Sequence, residues 1–169
     1  MVAVRTGKAA ARTVASGGVA RSPSGAQARL GAEREPRIVR DAKLGGRMLI
    51  ATPLLIAEEV SRVARGEVMT FSELRARLAA RFSADRTCPL TTGTFAAMVA
   101  GAVGEDIAHH RKPRCPIWRL VRDDGSLNTN WPLDSRYRAA LLRAEGVRVT
   151  RTRSAWQALP EGSGTNAKS

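Results

Sequence analysis

Acidic residues are scarce in this chain: 15 Asp+Glu stand against 28 Lys+Arg, a formal net charge of +13. The first of them is Glu33. Such a deficit makes a polyanion, nucleic acid before others, the first partner to consider. Cysteine is scarcer still. Cys88 and Cys115 are too few for a disulfide framework. Neither sits in a Cys-x-x-Cys pair, so structural zinc is not expected. No apolar run is long enough to span a bilayer, and the N-terminal stretch has no apolar core of the kind a secretory signal needs. A cytoplasmic location is expected; an organelle transit peptide is the alternative, because the start is rich in Ala, Arg and Ser and free of acid. Gly7-Lys8 lacks the upstream glycine of a phosphate loop. No internal repeat is present.

The positive charge is uneven. Residues 1–47 hold ten Lys/Arg and three Asp/Glu, so +7; residues 48–150 hold fifteen and eleven, so +4; residues 151–169 hold three and one, so +2. Residues 1–46 show no sustained periodicity and many Gly, Ser and Ala. They cannot bury enough apolar surface to offset ordering entropy, so a disordered basic tail is expected. Order is expected from Arg47-Met48-Leu49-Ile50. Thr52-Pro53 reads as N-cap and first helical position, and Ile56, Val60 and Val63 repeat at helical spacing up to Gly66. Thr70-Phe71-Ser72-Glu73 has the pattern of a capping box, followed by Leu74, Leu78 and Phe82 on one face of a second helix. A third helix is expected over 91–103, with Phe95, Met98, Val99 and Ala102 inward. Its outer face would carry Thr91, Thr92, Gly93, Thr94, Ala97, Ala100 and Gly101, all small. Asp134 or Ser135 caps a last helix that Gly146 ends. Val147 and Val149 suggest a brief final strand, and 151–169 reads as a disordered tail.

Cys115-Pro116-Ile117-Trp118-Arg119-Leu120-Val121, followed by Asp124-Gly125, reads as a strand entering a tight turn. Three helices and a strand-turn-strand make a winged helix-turn-helix pattern. Here the chain resembles the methylguanine-DNA methyltransferases, whose active-site segment is Pro-Cys-His-Arg-Val-Val. Pro116-Ile117-Trp118-Arg119-Leu120-Val121 keeps the frame without the nucleophile and its base. Leu141-Leu142-Arg143-Ala144-Glu145-Gly146 matches the family's glutamate segment. The resemblance covers about residues 48–150 and is closest to the alkyltransferase-like proteins, in which the acceptor cysteine is replaced.

That resemblance implies a mainly α fold with a small β-wing, that of the alkyltransferase C-terminal domain, over residues 47–150. It implies minor-groove binding by the Ala/Gly-rich third helix, or else close packing of Ala96 and Gly101 inside the domain. Phe71 stands at the family's nucleotide-flipping tyrosine, without its hydroxyl. The family's inserted arginine falls near Thr92 or Gly93 and is lost. Ile117 and Trp118 replace cysteine and histidine, leaving Glu145 to hydrogen-bond locally. Ile117, Trp118, Arg119, Trp131 and Glu145 would line a lesion pocket; Trp118 and Trp131 either wall it for a flipped base or simply fill it. Expected DNA contacts are Phe71, Ser72, Thr91, Thr92, Gly93, Thr94, Ala97, Arg111, Lys112 and Arg114, the last three as phosphate ligands beside His109-His110. Cys115, two strand residues before Ile117, would lie on the same face roughly 7 Å away; it is the one candidate acceptor should the chain be an enzyme. No cofactor or metal is expected. The expected partners are double-stranded DNA, alkylated DNA included, and a repair protein, with the chain itself a monomer. The function expected is non-catalytic recognition of alkylated guanine for repair; a general DNA-binding regulator or nucleoid protein is the alternative.

Overall fold

Thr52 sits in extended backbone and its hydroxyl accepts the Leu55 N–H at 3.2 Å, so the chain enters helix α1, Pro53–Ser61, already capped. Pro53 at the first position costs no hydrogen bond. The computed structural model describes residues 35–159; residues 1–34 and the end of the chain, on which part of the expected tails falls, lie outside the described residues. The Thr70–Glu73 capping box is present, with both reciprocal bonds, at the start of α2, Phe71–Arg81. Leu74 and Leu78 of α2 are fully buried. Helix α3 spans Pro89–Ala108, longer than the expected 91–103. Its inward stripe, Thr92, Ala96, Val99, Val103 and Asp106, continues past Gly101 and Gly104 at steps of three and four, so packing overrides the low helix propensity of glycine. Phe95 and Met98, expected inward, are only partly buried. Asp134 caps α4, Ser135–Ala144, by accepting the Arg136 N–H, and Gly146 follows at φ +96°.

The strands are short. β1, Arg37–Arg40, runs antiparallel to β2, Arg47–Ile50, and β2 runs parallel to β4, Arg86–Thr87. The expectation of disorder up to residue 46 therefore fails from Arg37 onward. The Asp41 carboxylate accepts the Lys43 and Leu44 N–H groups and binds Arg86, 45 residues away, at 3.0 Å. No local pattern announces that partner. β3, Met69–Thr70, pairs in parallel with β5, Leu120–Val121. The expected strand from Cys115 is instead a 3-10 turn over Ile117–Arg119, with only Leu120–Val121 extended.

The β-ribbon of the fold is not the expected hairpin around Asp124-Gly125. It is β6, Arg148–Arg151, antiparallel to β7, Trp156–Leu159, so ordered chain runs past the expected boundary at 150. The turn at Gly125 docks on it. Ala158 N–H donates to Gly125 O at 2.9 Å, and Leu127 N–H to Trp156 O at 2.7 Å. Two apolar clusters result. One joins α1, α2 and α3 with Leu49, Met69, Cys115, Ile117 and Trp131; the other joins α4 and the ribbon through Val121, Leu127, Leu142 and Val149. Trp118 packs against both. The described residues thus form a mainly α fold with small β elements. None of their helices is long and apolar enough to cross a membrane.

Gly125 sits at φ +79°, and a Cβ there would lie 2.8 Å from the Ala158 carbonyl oxygen. Left-handed backbone and backbone contact both oppose a side chain. Gly125→Ala is expected to lower stability in urea unfolding by about 2 kcal/mol or more; an unchanged midpoint would show that the ribbon is not docked as described.

Candidate nucleic-acid interface

At 100° per residue, the outward line along α3 runs through Leu90, Gly93, Thr94, Ala97 and Gly101. Leu90 and Thr94 are exposed, Gly93, Ala97 and Gly101 are partly so, and nothing lies within 4 Å of a Cβ built on Gly93. The stripe carries no charge and, beyond Leu90, no bulk. Thr92 and Ala100, expected outward, are fully buried. Thr92 sits on the opposite side of the wheel and its hydroxyl donates to Cys88 O at 2.7 Å; Ala100 lies at the flank of the stripe, next to Gly93 on the wheel, and is covered by the core. Thr91 and Thr94 also turn their hydroxyls onto the preceding turn, toward Cys88 O and Leu90 O. Ala96, set against groove contact as an alternative, is fully buried.

At the start of α2, Phe71 is partly buried and its ring meets Trp131 edge-on, centroids 6.1 Å apart at 71°. Ser72 is not a free donor. Its N–H and hydroxyl both go to the Asp123 carboxylate at 2.7 Å, and Arg75 approaches the same carboxylate at 3.6 Å. The Ser72 hydroxyl bond, with its N–H and the Arg75 charge, holds Asp123 below the usual carboxylate range. A phosphate at this helix end would have to displace Asp123.

The basic loop after α3 is likewise tied down. Asp106, 2% exposed, receives Arg111 Nε at 3.0 Å and Arg114 Nε at 3.0 Å. Burial alone would raise the Asp106 carboxyl; the two arginines overcome that and lower it. Both guanidiniums are still partly exposed, and Lys112 is exposed. Among the described residues no group of three or more His, Cys, Asp or Glu is placed to hold a metal.

The expected lesion pocket is largely filled. Ile117 is fully buried in the main core. Cys115 is 3% exposed, and burial pushes its thiol up to about 11, so it is protonated at neutral pH. The 3-10 turn removes the shared strand face on which its candidacy as an acceptor rested. Glu145 gathers the neighbouring side chains: Trp118 Nε1 donates at 2.9 Å, Arg119 Nε at 2.8 Å and Arg119 Nη2 at 2.9 Å, while Arg119 Nη1 reaches Val63 O at 2.6 Å. Desolvation would raise the Glu145 carboxyl, but the bonds from Arg119 and Trp118, with the Arg119 charge, hold it below its ordinary value. Trp131 is 6% exposed, between Phe71 and Arg138, whose guanidinium lies 4.3 Å from its ring. Arg138 was not among the expected site residues. It is fully buried, donates to Asn128 O and Leu120 O, and burial pulls its pKa down to about 10. Arg138 Nε and Trp131 Nε1 are buried donors without an acceptor among the described residues. Asp106 and Asp123 were also missed: their sequence neighbourhoods read as helix end and turn, and nothing local names their partners.

No family model matches the chain, and no curated protein matches it. Among solved structures it is similar to S. pombe Atl1 in complex with damaged DNA containing O6-carboxymethylguanine, at 17% identity and a TM-score of 0.44, covering 63% of this chain and 86% of that one. It is similar in the same way to S. pombe ATL in complex with DNA, at 17% identity, a TM-score of 0.43 and the same coverage. A likeness of this size carries no weight for the function of this chain.

Glu145 is 10% exposed and bonded to a cation, so Glu145→Gln is expected to cost about 2–3 kcal/mol at neutral pH. The sign with pH follows from the lowered carboxyl: its contribution is fully present above the unfolded value near 4.5 and fades as pH falls through the lower folded value. Urea unfolding of both proteins should therefore converge below about pH 4.5. A gap that widens toward acid would contradict the assignment.

The α3 face has its own check. Gly93→Arg points into open space and should leave the urea unfolding midpoint close to that of the parent chain. Thr92→Arg buries an unpaired cation and should unfold the protein. Equal tolerance of both would invert the assigned face.

Proposed function

We propose that the chain is a non-catalytic, alkyltransferase-like DNA-binding protein that recognises alkylated guanine from the minor groove and marks it for repair. The observation that carries this reading is the outward stripe of α3, small and uncharged on a chain of net charge +13. A basic helix reads base edges with long side chains. A smooth helix lets the backbone approach a groove wall while cations elsewhere take the phosphates. Arg111, Lys112 and Arg114, at the far end of α3, are assigned to phosphate contact. Thr91, Gly93, Thr94 and Ala97 are assigned to the groove, with Phe71 beside it.

Two features support recognition of a base. Trp131 Nε1 and Arg138 Nε lie buried without an acceptor, and a guanine edge entering beside Trp131 would supply one. The reactive centre is inert: Ile117 offers no nucleophile and Cys115 is a buried, protonated thiol. A repair factor acting after binding is then required. The second reading, DNA binding without lesion preference, is favoured by the packing of Trp131 between Phe71 and Arg138. A flipped base would have to displace that ring.

Titration of duplexes with and without an alkylated guanine, at several salt concentrations, separates the two. The first reading expects at least about tenfold tighter binding to the lesion, a difference of about 1.4 kcal/mol; equal affinity selects the second. Mass spectrometry after incubation is expected to show no alkyl adduct, and an adduct on Cys88 or Cys115 would end the non-catalytic claim.

A further inference from the structure

Among the described residues some arginines pair with a carboxylate and others, such as Arg37, Arg40, Arg65 and Arg136, do not. Arg62, Arg75, Arg77, Arg81, Arg86, Arg111, Arg114 and Arg119 each lie within 4.0 Å of a carboxylate. Arg148, Arg151 and Arg153 on the β6–β7 ribbon have no such partner among the described residues, and residues 146–159 contain no Asp or Glu. All three are exposed. The ribbon is also held stiffly. Trp156 lies between the guanidiniums of Arg143, 4.7 Å from its ring, and Arg151, 5.1 Å from it, and Arg143 donates to Val149 O at 2.7 Å. Gln157 Nε2 adds a bond to Asp124 O at 2.8 Å. Cations on a pre-ordered strand pair lose little freedom on binding.

Between the ribbon and the Gly125 turn lies a cleft of about 490 Å³, lined by Arg122 and the hydroxyl residues Ser126, Thr129, Thr152 and Ser154. Asp124 also lines it, with its carboxylate turned onto the N–H and hydroxyl of Ser126. Guanidinium and hydroxyl donors are the groups that meet phosphodiester oxygens; here those are Arg122 and Ser154, since the Ser126 and Thr152 hydroxyls donate internally to Asp124 and to Ala155 O. The same turn is bolted through Asp123 to the start of α2. The large exposed apolar residues, Ile38, Val39, Leu44, Leu54, Leu90 and Tyr137, all lie off the ribbon. The ribbon therefore has nothing to insert into a bilayer.

We propose that the β6–β7 ribbon and the cleft beneath it form a second, sequence-independent grip on the DNA backbone, with Arg148 and Arg153 neutralising phosphates outside the segment held by α3. The proposal rests on the DNA-binding reading. Arg151 is left out of the test because it supports Trp156.

The test compares the salt dependence of duplex binding for the full chain and for Arg148→Ala/Arg153→Ala. The slope of log affinity against log salt should fall by about 1.8, since each lost phosphate contact removes about 0.9, and the lesion-to-control ratio should stay unchanged. Arg148→Lys/Arg153→Lys should keep the wild-type slope. Arg37→Ala/Arg40→Ala, which removes equal charge from β1, should lower it less. An unchanged slope in the ribbon variant overturns the ribbon grip alone. So does a fall no larger than that of the β1 variant, and so does a loss confined to binding of a polyglutamate peptide, which would make the partner an acidic protein. Absence of duplex binding by the wild-type chain overturns both this proposal and the function on which it rests.

Discussion

Glu145 receives three N–H bonds from two consecutive residues, Trp118 and Arg119, and through Arg119 it is joined to the carbonyl of Val63. Three stretches of chain meet at that carboxylate: the end of α1, the 3-10 turn and the end of α4. Bonds of this kind are strong only when the charge is shielded from water and every donor is placed. Trp118 does the shielding, packing against both apolar clusters while its indole N–H points at the carboxylate. If Glu145 were displaced, the 3-10 turn would lose its anchor, Ile117 its fixed place in the core, and α4 its tie to the rest. In an alkyltransferase the resembling positions serve chemistry. In this chain Trp118 and Arg119 make a structural clamp on Glu145, and the buried Ile117 offers no nucleophile.

The electrostatics follow a comparable division. A net charge of +13 suggests a uniformly basic surface, but many arginines of the helical body are matched to carboxylates, and Asp106 holds two of them at once. The ribbon arginines are not matched. Cations freed from internal partners act on outside anions at lower cost, because no protein ion pair must first be broken. In the proposed reading the smooth face of α3 and the bare charge of the ribbon are complementary: one would permit close approach, the other would supply long-range attraction. Trp131 is stacked against Arg138, and Trp131 Nε1 and Arg138 Nε have no acceptor among the described residues.

Legibility in the sequence tracked the reach of each interaction. The Thr52 cap, the Thr70–Glu73 box, the Asp134 cap and the glycine at 146 involve partners within a few residues, and each was readable. The outward face of α3 was readable only in part, because a list of small residues does not say which side of the wheel the core will claim; Thr92 and Ala100 went to the core. The segment Cys115–Val121 misled, since its β-branched and aromatic content fits a strand, yet packing of Ile117 bends it into a 3-10 turn.

Taken alone, the sequence determined the helices, their caps and the basic balance, all properties of single residues or of neighbours along the chain. Tertiary structure alone decided the rest. Glu145 meets residues 26 and 27 positions away, Ser72 meets Asp123 across 51, and Arg86 meets Asp41 across 45. Strand β1 pairs locally with β2 and is followed by Asp41, which binds Arg86, while the ribbon is a local hairpin docked on Gly125 and Leu127. A short strand has no stability of its own; it exists where a distant partner offers hydrogen bonds and an apolar surface, and no local pattern records where that partner will be.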